Sequence, residues 1–327
     1  MKIFFTLYLY VQAHFRNMLQ EDVPKPVSEF FGRNAETLKT GVVVNTIIRS
    51  SMKSFLDRRG FVEINPVIIS PISDPLNHPV QDPIIDYYGY KYRLTKSMIF
   101  HKQLALTYFD RIYSFSPNIR IEPVDRARTG RHLAEFTQLD LEVKEKPREY
   151  VMELAEKMIN RAIEDVLKKV DRSRLNPHLR AFPTPFRKIR YQEAFEKFGK
   201  NFEIELSRRA KAPFWIIDIP LLEREFYDRQ IGNSGFLRDM DLIYPYGYGE
   251  AISGGEREFQ YEKIRERIKK KGQSEEEFSL LLAASKIGLS PSSGFGIGIE
   301  RFVRFIVGVR DIAEISLFPK KIGEQVL

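Results

Sequence analysis

The chain has 327 residues, of which 43% are hydrophobic and 29% charged, as is usual for a globular protein. It contains no cysteine, which excludes disulfides, thiolate metal ligands and a cysteine nucleophile, and which favours a reducing cytoplasm. The formal net charge is +8. Such a charge suits an anionic partner such as RNA or a nucleotide, but it equally suits a basic surface that serves solubility alone.

The N-terminal residues resemble a signal peptide only briefly. The apolar run from Ile3 to Val11 is too short to span a bilayer, and no small-residue cleavage site follows it. We therefore predict no membrane segment. A more ordinary sequence begins at Met18, so the first seventeen residues are either genuine or an upstream misreading of the start codon. We predict an N-terminal extension over residues 1–34 and one domain over residues 35–327.

Three segments follow in chain order. Apolar residues recur at helical spacing from residue 35 until Gly60, which predicts a long helix. Residues 61–70 are predicted as a strand interrupted by Pro66, which suits a sheet edge or an interface. The proline-rich residues 71–85 form the best candidate for a mobile lid.

Two later segments alternate apolar and polar side chains, as half-buried strands do. The alternation covers residues 112–122 and returns at residues 135–143. The polar face of each strand is predicted to line something wet. An antiparallel pair of these strands would bring four polar side chains onto one floor, namely Arg120, Glu122, Gln138 and Asp140.

The C-terminal half adds a second long helix and more strands. The helix is predicted over residues 149–170, and strand-like segments lie at residues 213–220, 240–257 and 294–300. Strands that cluster with long helices, without regular βαβ alternation, favour an α+β domain with an antiparallel β-sheet flanked by helices.

The segment SSGFGIGIERFVRFIVG, at residues 292–308, carries three glycines at alternate positions. Its spacing fails the dinucleotide fingerprint, and the chain has no phosphate-binding P-loop motif. On a strand, Gly294, Gly296 and Gly298 would share a face with Glu300 and leave a slot for a planar base or sugar. The alternative is that these glycines only mark close packing beneath a helix.

Charged pairs add groups that suit a nucleotide. Guanidinium forks of the kind that clamp phosphates come from two Arg–acid pairs, Arg120 with Glu122 and Arg301 with Glu300. Each pair taken alone is more commonly a surface ion pair.

A magnesium site is predicted at two carboxylates that flank the stretch LIYPYGYG. Asp241 and Glu250 suit Mg²⁺, which prefers carboxylates together with phosphate oxygens. The five histidines are too scattered for a zinc site, and only His132, in the basic loop between the alternating strands, is placed at the chemistry.

Three stretches, in the right order, resemble the motifs of the class II aminoacyl-tRNA synthetases. The long helix that ends at GFVEINP resembles motif 1, NIRIEP…GRHLAEFTQLDLE resembles motif 2, and GFGIGIER resembles motif 3. RHLAEFTQLD, DLIYPYGYGEAISGGER and LFPK are similar to signatures of the aspartyl/asparaginyl subgroup. The resemblance covers roughly residues 35–320. It implies a homodimer and ATP bent over the sheet with Mg²⁺.

The resemblance also implies roles for individual residues. Catalysis would rest on Arg120, Arg301 and Glu250, and Glu250 would bind the metal together with Asp241. The residues that would contact ATP are Arg120, Glu122, Arg131, His132, Leu133, Phe136, Glu250, Gly298, Ile299, Glu300 and Arg301. The pocket for L-aspartate would consist of Ser97, Lys102, Gln138, Asp140, Ser253 and Arg257. Aspartyl enzymes have a lysine at the position of Lys102, whereas asparaginyl enzymes do not.

The sequence departs from this subgroup in several places. The subgroup carries an N-terminal OB-fold that reads the anticodon, and this chain has only some 35 residues before motif 1. The aspartyl Gln-Ser-Pro-Gln stretch is KSMI here, Ser292 replaces a histidine that reads a carboxylate, and Ala313 replaces an arginine. These features resemble the archaeal asparagine synthetases of the same lineage.

The sequence therefore predicts a ligase that activates aspartate with ATP and transfers it to ammonia, giving asparagine, AMP and pyrophosphate. The alternative is an aspartyl/asparaginyl-tRNA synthetase-like enzyme that aminoacylates tRNA or another carrier. A third reading is a catalytically inactive accessory subunit, against which the joint presence of Arg120, Glu122, Glu250 and Arg301 speaks.

Overall fold

The computed structural model describes residues 23–327, so the prediction for residues 1–17 lies outside the described residues. The helices are α1 (Lys25–Phe31), α2 (Ala35–Asp57), α3 (Ile99–Ala105), α4 (Arg148–Lys169), α5 (Tyr191–Phe198), α6 (Phe202–Arg209), α7 (Tyr261–Lys270), α8 (Ser279–Gly288) and α9 (Ile299–Val307). The strands are β1 (Val62–Glu63), β2 (Ile69–Ser70), β3 (Ile84–Tyr87), β4 (Tyr90–Leu94), β5 (Arg111–Ile119), β6 (Glu135–Lys144), β7 (Arg187–Arg190), β8 (Phe214–Ile217), β9 (Asp239–Tyr244), β10 (Gly249–Arg257) and β11 (Ser292–Gly298). Within the described range, no helix has the length and apolar character needed to cross a membrane.

One large sheet organises the chain. Its eight strands lie in the order β1-β5-β6-β11-β10-β9-β8-β7, and a small second sheet has the order β2-β4-β3. Neighbours in the large sheet run antiparallel, except for the parallel edge pairs β1 with β5 and β7 with β8. The predicted α+β fold with an antiparallel sheet flanked by helices is confirmed.

The apolar face of the large sheet packs against α2, α4 and α9. Leu139 and Leu141 of β6 belong to the same buried cluster as Ile48 of α2, Ile159 of α4 and Phe302 of α9. Helix α2 begins where the side chain of Asn34 accepts hydrogen bonds from two backbone amides of the first turn, a cap that stabilises a helix by about 1 kcal/mol. The opposite, polar face of the sheet is left for other groups.

The polar face of β5 is drier than the alternation predicts. Ser114, Ser116 and Asn118 are at most 1% exposed, so this part of the strand does not line a wet surface. Asn118 instead donates a hydrogen bond to the Gln138 side chain on β6. Helix α3 packs on the same face and sends Lys102 to it. Ser116 and Asn118 can be buried because their side chains bond to polar neighbours, whereas the Ser114 hydroxyl is buried without a hydrogen-bond partner in the described part of the chain.

Two strand predictions need correction. The strand predicted over residues 61–70 divides at Pro66, because β1 joins the large sheet and β2 the small one. The glycine strand ends at Gly298, and helix α9 begins at Ile299. Glu300 therefore lies on the first helical turn and not on the glycine strand.

The described end of the N-terminal extension and the proline-rich loop both pack on the domain. The Phe30 and Phe318 rings stack with centroids 5.6 Å apart, and Arg33 donates to the carbonyl oxygen of Leu317 at 2.8 Å. In the loop, Asp82 Oδ2 accepts from the Lys96 ammonium at 2.9 Å. The loop predicted as a lid is thus held down by an ion pair.

Candidate active site

Two adjoining cavities open on the polar face of the large sheet. The space between the protein atoms, counted together with the open mouth, is about 510 Å³ in the first cavity and about 1410 Å³ in the second. Their shared lining consists of Arg120, Gln138, Glu250 and Gly296. A group bound in one cavity therefore lies next to a group bound in the other.

The first cavity gathers ten of the eleven residues predicted to contact ATP. These are Arg120, Glu122, Arg131, His132, Leu133, Phe136, Glu250, Gly298, Glu300 and Arg301. The eleventh, Ile299, is a correction, because its side chain is fully buried in the hydrophobic core and does not line the cavity.

The three glycines of β11 have different neighbours. A Cβ at Gly294 would collide with the backbone oxygen of Leu141 and the carboxylate of Glu142, so this glycine serves close packing within the sheet. Gly296 and Gly298 line the first cavity, and a Cβ at Gly298 would meet nothing closer than 3.5 Å. The predicted bare strip is therefore confined to its C-terminal half.

Arginines dominate the electrostatics of the first cavity. Arg301 Nη1 lies 3.2 Å from Glu250 Oε1, and Arg131 Nη1 lies 2.5 Å from Glu203 Oε1. Burial opposes the ionisation of Glu250, but the charges of Arg301 and Arg131 lower the pKa of its carboxyl. Arg120 Nε donates to the carbonyl oxygen of Lys96 at 3.0 Å and has no ion pair within 4.0 Å among residues 23–327. Its guanidinium is available to an anion.

Neutral and aromatic groups complete this cavity. Burial and the neighbouring Arg301 and Arg131 lower the pKa of His132 to about 2, so its imidazole stays uncharged at neutral pH. Glu122 Oε2 lies 2.9 Å from His78 Nε2. The guanidinium carbon of Arg120 lies 5.2 Å from the centre of the Phe136 ring, and this flat pair suits a base that stacks.

The second cavity gathers all six residues predicted to bind the amino acid, which are Ser97, Lys102, Gln138, Asp140, Ser253 and Arg257. The two cations of this predicted pocket, Lys102 and Arg257, already have buried partners. Lys102 Nζ lies 2.9 Å from Asp140 Oδ1 and 3.7 Å from Glu142 Oε2. Arg257 lies 3.2 Å from Glu142 Oε1 and 2.7 Å from Asp228 Oδ1. Both cations are therefore fixed in place before a substrate enters.

Of the two carboxylates predicted to bind magnesium, one lies at the cavities and the other does not. Glu250 lines both cavities, whereas Asp241 lines neither. The Asp241 carboxylate pairs instead with Arg224, which also contacts Asp239. Among residues 23–327, no cluster of three metal-ligating side chains exists. Glu250 fits an Mg²⁺ held mainly by substrate phosphates, but Asp241 is corrected to the partner of an arginine.

Sequence reasoning missed several residues of the second cavity. Asp74 and His78 come from the proline-rich loop, and Arg224, Glu225 and Asp228 come from the stretch EREFYDR between β8 and β9. Neither segment has a helical or strand periodicity that assigns a face to its residues. The sequence feature that could have pointed to them is the cluster of charged residues around Phe226 and Tyr227. Both aromatic rings are buried, and they anchor the segment at the cavity.

Comparisons with known proteins place this geometry in a family. The family model described as tRNA synthetases class II (D, K and N) matches residues 32–322. An asparagine–tRNA ligase of Koribacter versatilis is 30% identical over 301 residues, covering 84% of this chain and 66% of the relative. That of Streptococcus mutans is 28% identical over 303 residues with the same coverage. The chain thus spans about 66% of the length of these relatives.

Solved structures share the fold. The asparaginyl-tRNA synthetase of Pyrococcus horikoshii, complexed with asparaginyl-adenylate, superposes with a TM-score of 0.80 at 24% identity, covering 89% of this chain and 70% of that one. The Entamoeba histolytica asparaginyl-tRNA synthetase gives a TM-score of 0.81 at 21% identity, covering 96% and 75%. On the family match over residues 32–322, this chain belongs to the class II tRNA synthetases of the D, K and N group.

Proposed function

We propose that this chain activates an amino acid with ATP, forming an acyl-adenylate and releasing pyrophosphate. The observation that carries the proposal is the shared wall of the two cavities, where Arg120 can contact groups on both sides. ATP would occupy the first cavity, with its α-phosphate at Arg120 and Arg301. The amino-acid carboxylate would approach from the second. Holding both reactants in line, with guanidinium groups against the developing charge, is the main source of rate enhancement in such a transfer.

Magnesium belongs to the same proposal. Glu250 would hold the ion together with phosphate oxygens, and the bound ion would neutralise charge that develops on the phosphates. Arg301 now pairs with Glu250, so it would turn towards the nucleotide when the cation takes its place.

We propose aspartate as the amino acid. Lys102 and Arg257 place two cations in the lining of the second cavity, which suits a substrate with a carboxylate at each end. Asparagine is the second candidate, because the relatives are named asparagine–tRNA ligases. Asparagine would offer an amide to these cations, and a neutral oxygen binds a cation more weakly than a carboxylate does.

The acceptor of the acyl group has two candidates. The comparisons favour tRNA, since the curated relatives are tRNA ligases by name, and they give no support for ammonia. Ammonia, the acceptor expected from the sequence, is supported by this chain's own residues, because acids that line the second cavity suit a small cation. A tRNA acceptor would instead have to insert its end, which is much larger than an ammonium ion, into the cavity.

One experiment separates these candidates. Purified protein is incubated with ATP, Mg²⁺ and labelled aspartate or asparagine, and pyrophosphate exchange is followed. Ammonium chloride or bulk tRNA is then added. We expect exchange with aspartate, followed by label in free asparagine or in acid-precipitable RNA, according to the acceptor. Absence of exchange with both amino acids would overturn the proposed activation.

We also propose a homodimer. Helix α2 leaves Val42 and Val43 at 39% and 49% exposure, and the edge strand β1 leaves Val62 at 42%. Apolar side chains left exposed on a helix and on an edge strand suit an interface. Light scattering of the purified chain would give twice the mass of 38.3 kDa.

A further inference from the structure

Seven carboxylates line the second cavity, and we refer to four of them as the acidic wall: Asp74, Asp140, Glu225 and Asp228. Lys102 pairs with Asp140, and Arg257 pairs with Asp228. Asp74 and Glu225 have no such counterion within 4.0 Å among the described residues, and their recorded hydrogen bonds come from neutral donors such as the Tyr227 hydroxyl and the Asn77 amide. The wall therefore carries more negative than positive charge.

The wall also holds an unused acceptor. Asp140 is 2% exposed, and its Oδ2 makes no hydrogen bond although the residue lines the cavity. A buried carboxylate oxygen without a donor costs free energy until a ligand supplies one. Burial, and after it the charge of Asp74, raise the pKa of Glu225 to about 7, as expected where negative charges crowd together without enough cations.

The geometry selects the kind of cation. Within the described chain, no group of three or more acidic or histidine side chains converges closely enough to hold a metal ion. An ammonium ion makes N–H···O contacts of about 2.7–3.2 Å, longer than the metal–oxygen bonds of Mg²⁺ at about 2.0–2.1 Å. It is therefore suited to oxygens that are spread over a wall.

We propose that the acidic wall binds the ammonium ion that becomes the amide nitrogen of the product, an inference that rests on ammonia as the acceptor. Bound ammonium gives one proton to a carboxylate of the wall and becomes ammonia. The nitrogen lone pair attacks the acyl carbon of the adenylate, so the C–N bond forms. The bond between the acyl carbon and the phosphate oxygen breaks, and AMP leaves with that electron pair. A second proton leaves the nitrogen for water.

The test compares two Michaelis constants in the full-length protein. Asparagine formation is measured against ammonium chloride, and pyrophosphate exchange is measured against aspartate. Glu225→Gln keeps the side-chain size and removes the charge, so we expect the KM for ammonium to rise about tenfold, the value for losing one hydrogen bond to a charged group. The KM for aspartate should change much less. The control is Glu262→Gln, an exposed residue in the first turn of α7, which should leave both constants unaltered.

A binding measurement supports the kinetics and covers a variant that folds poorly. At equal ionic strength, ammonium chloride should raise the Tm of the wild type above its value in sodium chloride, and this difference should disappear in Glu225→Gln and in Asp74→Asn. A KM for aspartate that rises as much as that for ammonium would overturn the inference, since the wall would then hold the amino group of the amino acid. If the wild type exchanges pyrophosphate but makes no asparagine, ammonia fails as acceptor, and the inference fails with it, while amino-acid activation stands.

Discussion

Arg120 contributes to both cavities, and its position is fixed by the backbone. Its Nε donates to the carbonyl oxygen of Lys96, so the rest of the guanidinium stays free for a phosphate and a carboxylate. Arg301 approaches the same first cavity from α9. The two residues lie 181 positions apart in sequence, and the pairing of β6 with β5 and β11 brings their elements together.

Replacing Arg120 tests the active site directly. We expect Arg120→Ala to lower aspartate-dependent pyrophosphate exchange by about 10²–10³-fold, the usual loss for one donor to a developing charge. Arg128→Ala removes an exposed arginine of the neighbouring loop and should lose less than threefold, a small effect on the scale of surface changes. Near-wild-type exchange by Arg120→Ala would rule out the assignment of the first cavity to ATP.

Loss of Lys102 should lower the stability of the fold strongly. It is 3% exposed and forms an ion pair with Asp140. Lys102→Met keeps the length but leaves a buried carboxylate without its cation, so we expect the free energy of unfolding to fall by about 3–5 kcal/mol. Urea unfolding followed by fluorescence of the single, buried tryptophan, Trp215, measures this value.

The matched control for Lys102 is an exposed pair. Lys157 of α4 pairs with Glu153, and both side chains are more than half exposed. Lys157→Met should therefore cost less than about 1 kcal/mol. Equal losses in the two variants would contradict the view that burial makes the Lys102 pair important for stability.

At the scale of elements, the sequence predicts best where one side-chain period governs a whole segment. The alternation in β6 separates Leu139 and Leu141 in the core from Gln138 and Asp140 at the cavities, and that separation could be predicted. The short β1 and β2 could not, because Pro66 divides one apolar segment between two sheets.

The glycine strand β11 allows a prediction for two neighbouring positions of one element. Gly294→Ala should lower the free energy of unfolding by at least about 1–3 kcal/mol, because its Cβ would collide with the Leu141 backbone. In Gly298→Ala the new methyl group would make only ordinary van der Waals contacts of 3.5–3.6 Å with the Arg301 side chain, so this variant should unfold within about 1 kcal/mol of the wild type. Urea unfolding of both variants checks this, and a Gly294→Ala protein as stable as Gly298→Ala would show that the strand adjusts more than its packing suggests.

The proline-rich loop that connects β2 to β3 is held against the domain by charged contacts. Asp82 holds the loop by contacts with Lys96 and Arg93, each at 2.9 Å. Asp82→Asn removes the charge, so we expect amide hydrogen exchange across residues 75–85 to become faster while exchange in α4 stays the same. Unchanged exchange in the loop would mean that other contacts, such as the backbone bond of Gln81 to Ile121, are enough to hold it.

At the scale of the whole molecule, the sequence predicted which residues meet better than it predicted what they contact. Motif order along the chain was enough to assign sixteen residues to two cavities, because the fold places the ends of β5, β6, β10 and β11 together. Partners such as Glu142 for Arg257, or Arg224 for Asp241, could not be predicted. These pairs form between segments that are far apart in sequence and that come close only in the folded chain. The acidic wall depends on one of them, because Arg257 pairs with both Glu142 and Asp228.

The stability of the whole chain should depend on pH through Glu300, a carboxyl that connects helix α9 with strand β6 at the first cavity. Glu300, on α9, accepts hydrogen bonds from the Thr137 amide of β6, and burial raises the pKa of its carboxyl to about 7 from the ordinary 4.5. Between these values the folded chain keeps a proton that the unfolded chain loses. The contribution of Glu300 to stability is therefore fully present below pH 4.5 and is lost as the pH rises through 7. A shift of this size corresponds to about 3 kcal/mol.

Glu300→Gln has no such proton, so its free energy of unfolding relative to that of the wild type should rise by about 2–3 kcal/mol between pH 5 and pH 8, as measured by urea unfolding. Glu135→Gln, at an exposed position, should keep a constant difference from the wild type, and a constant difference for Glu300→Gln would show that its carboxyl is ionised throughout.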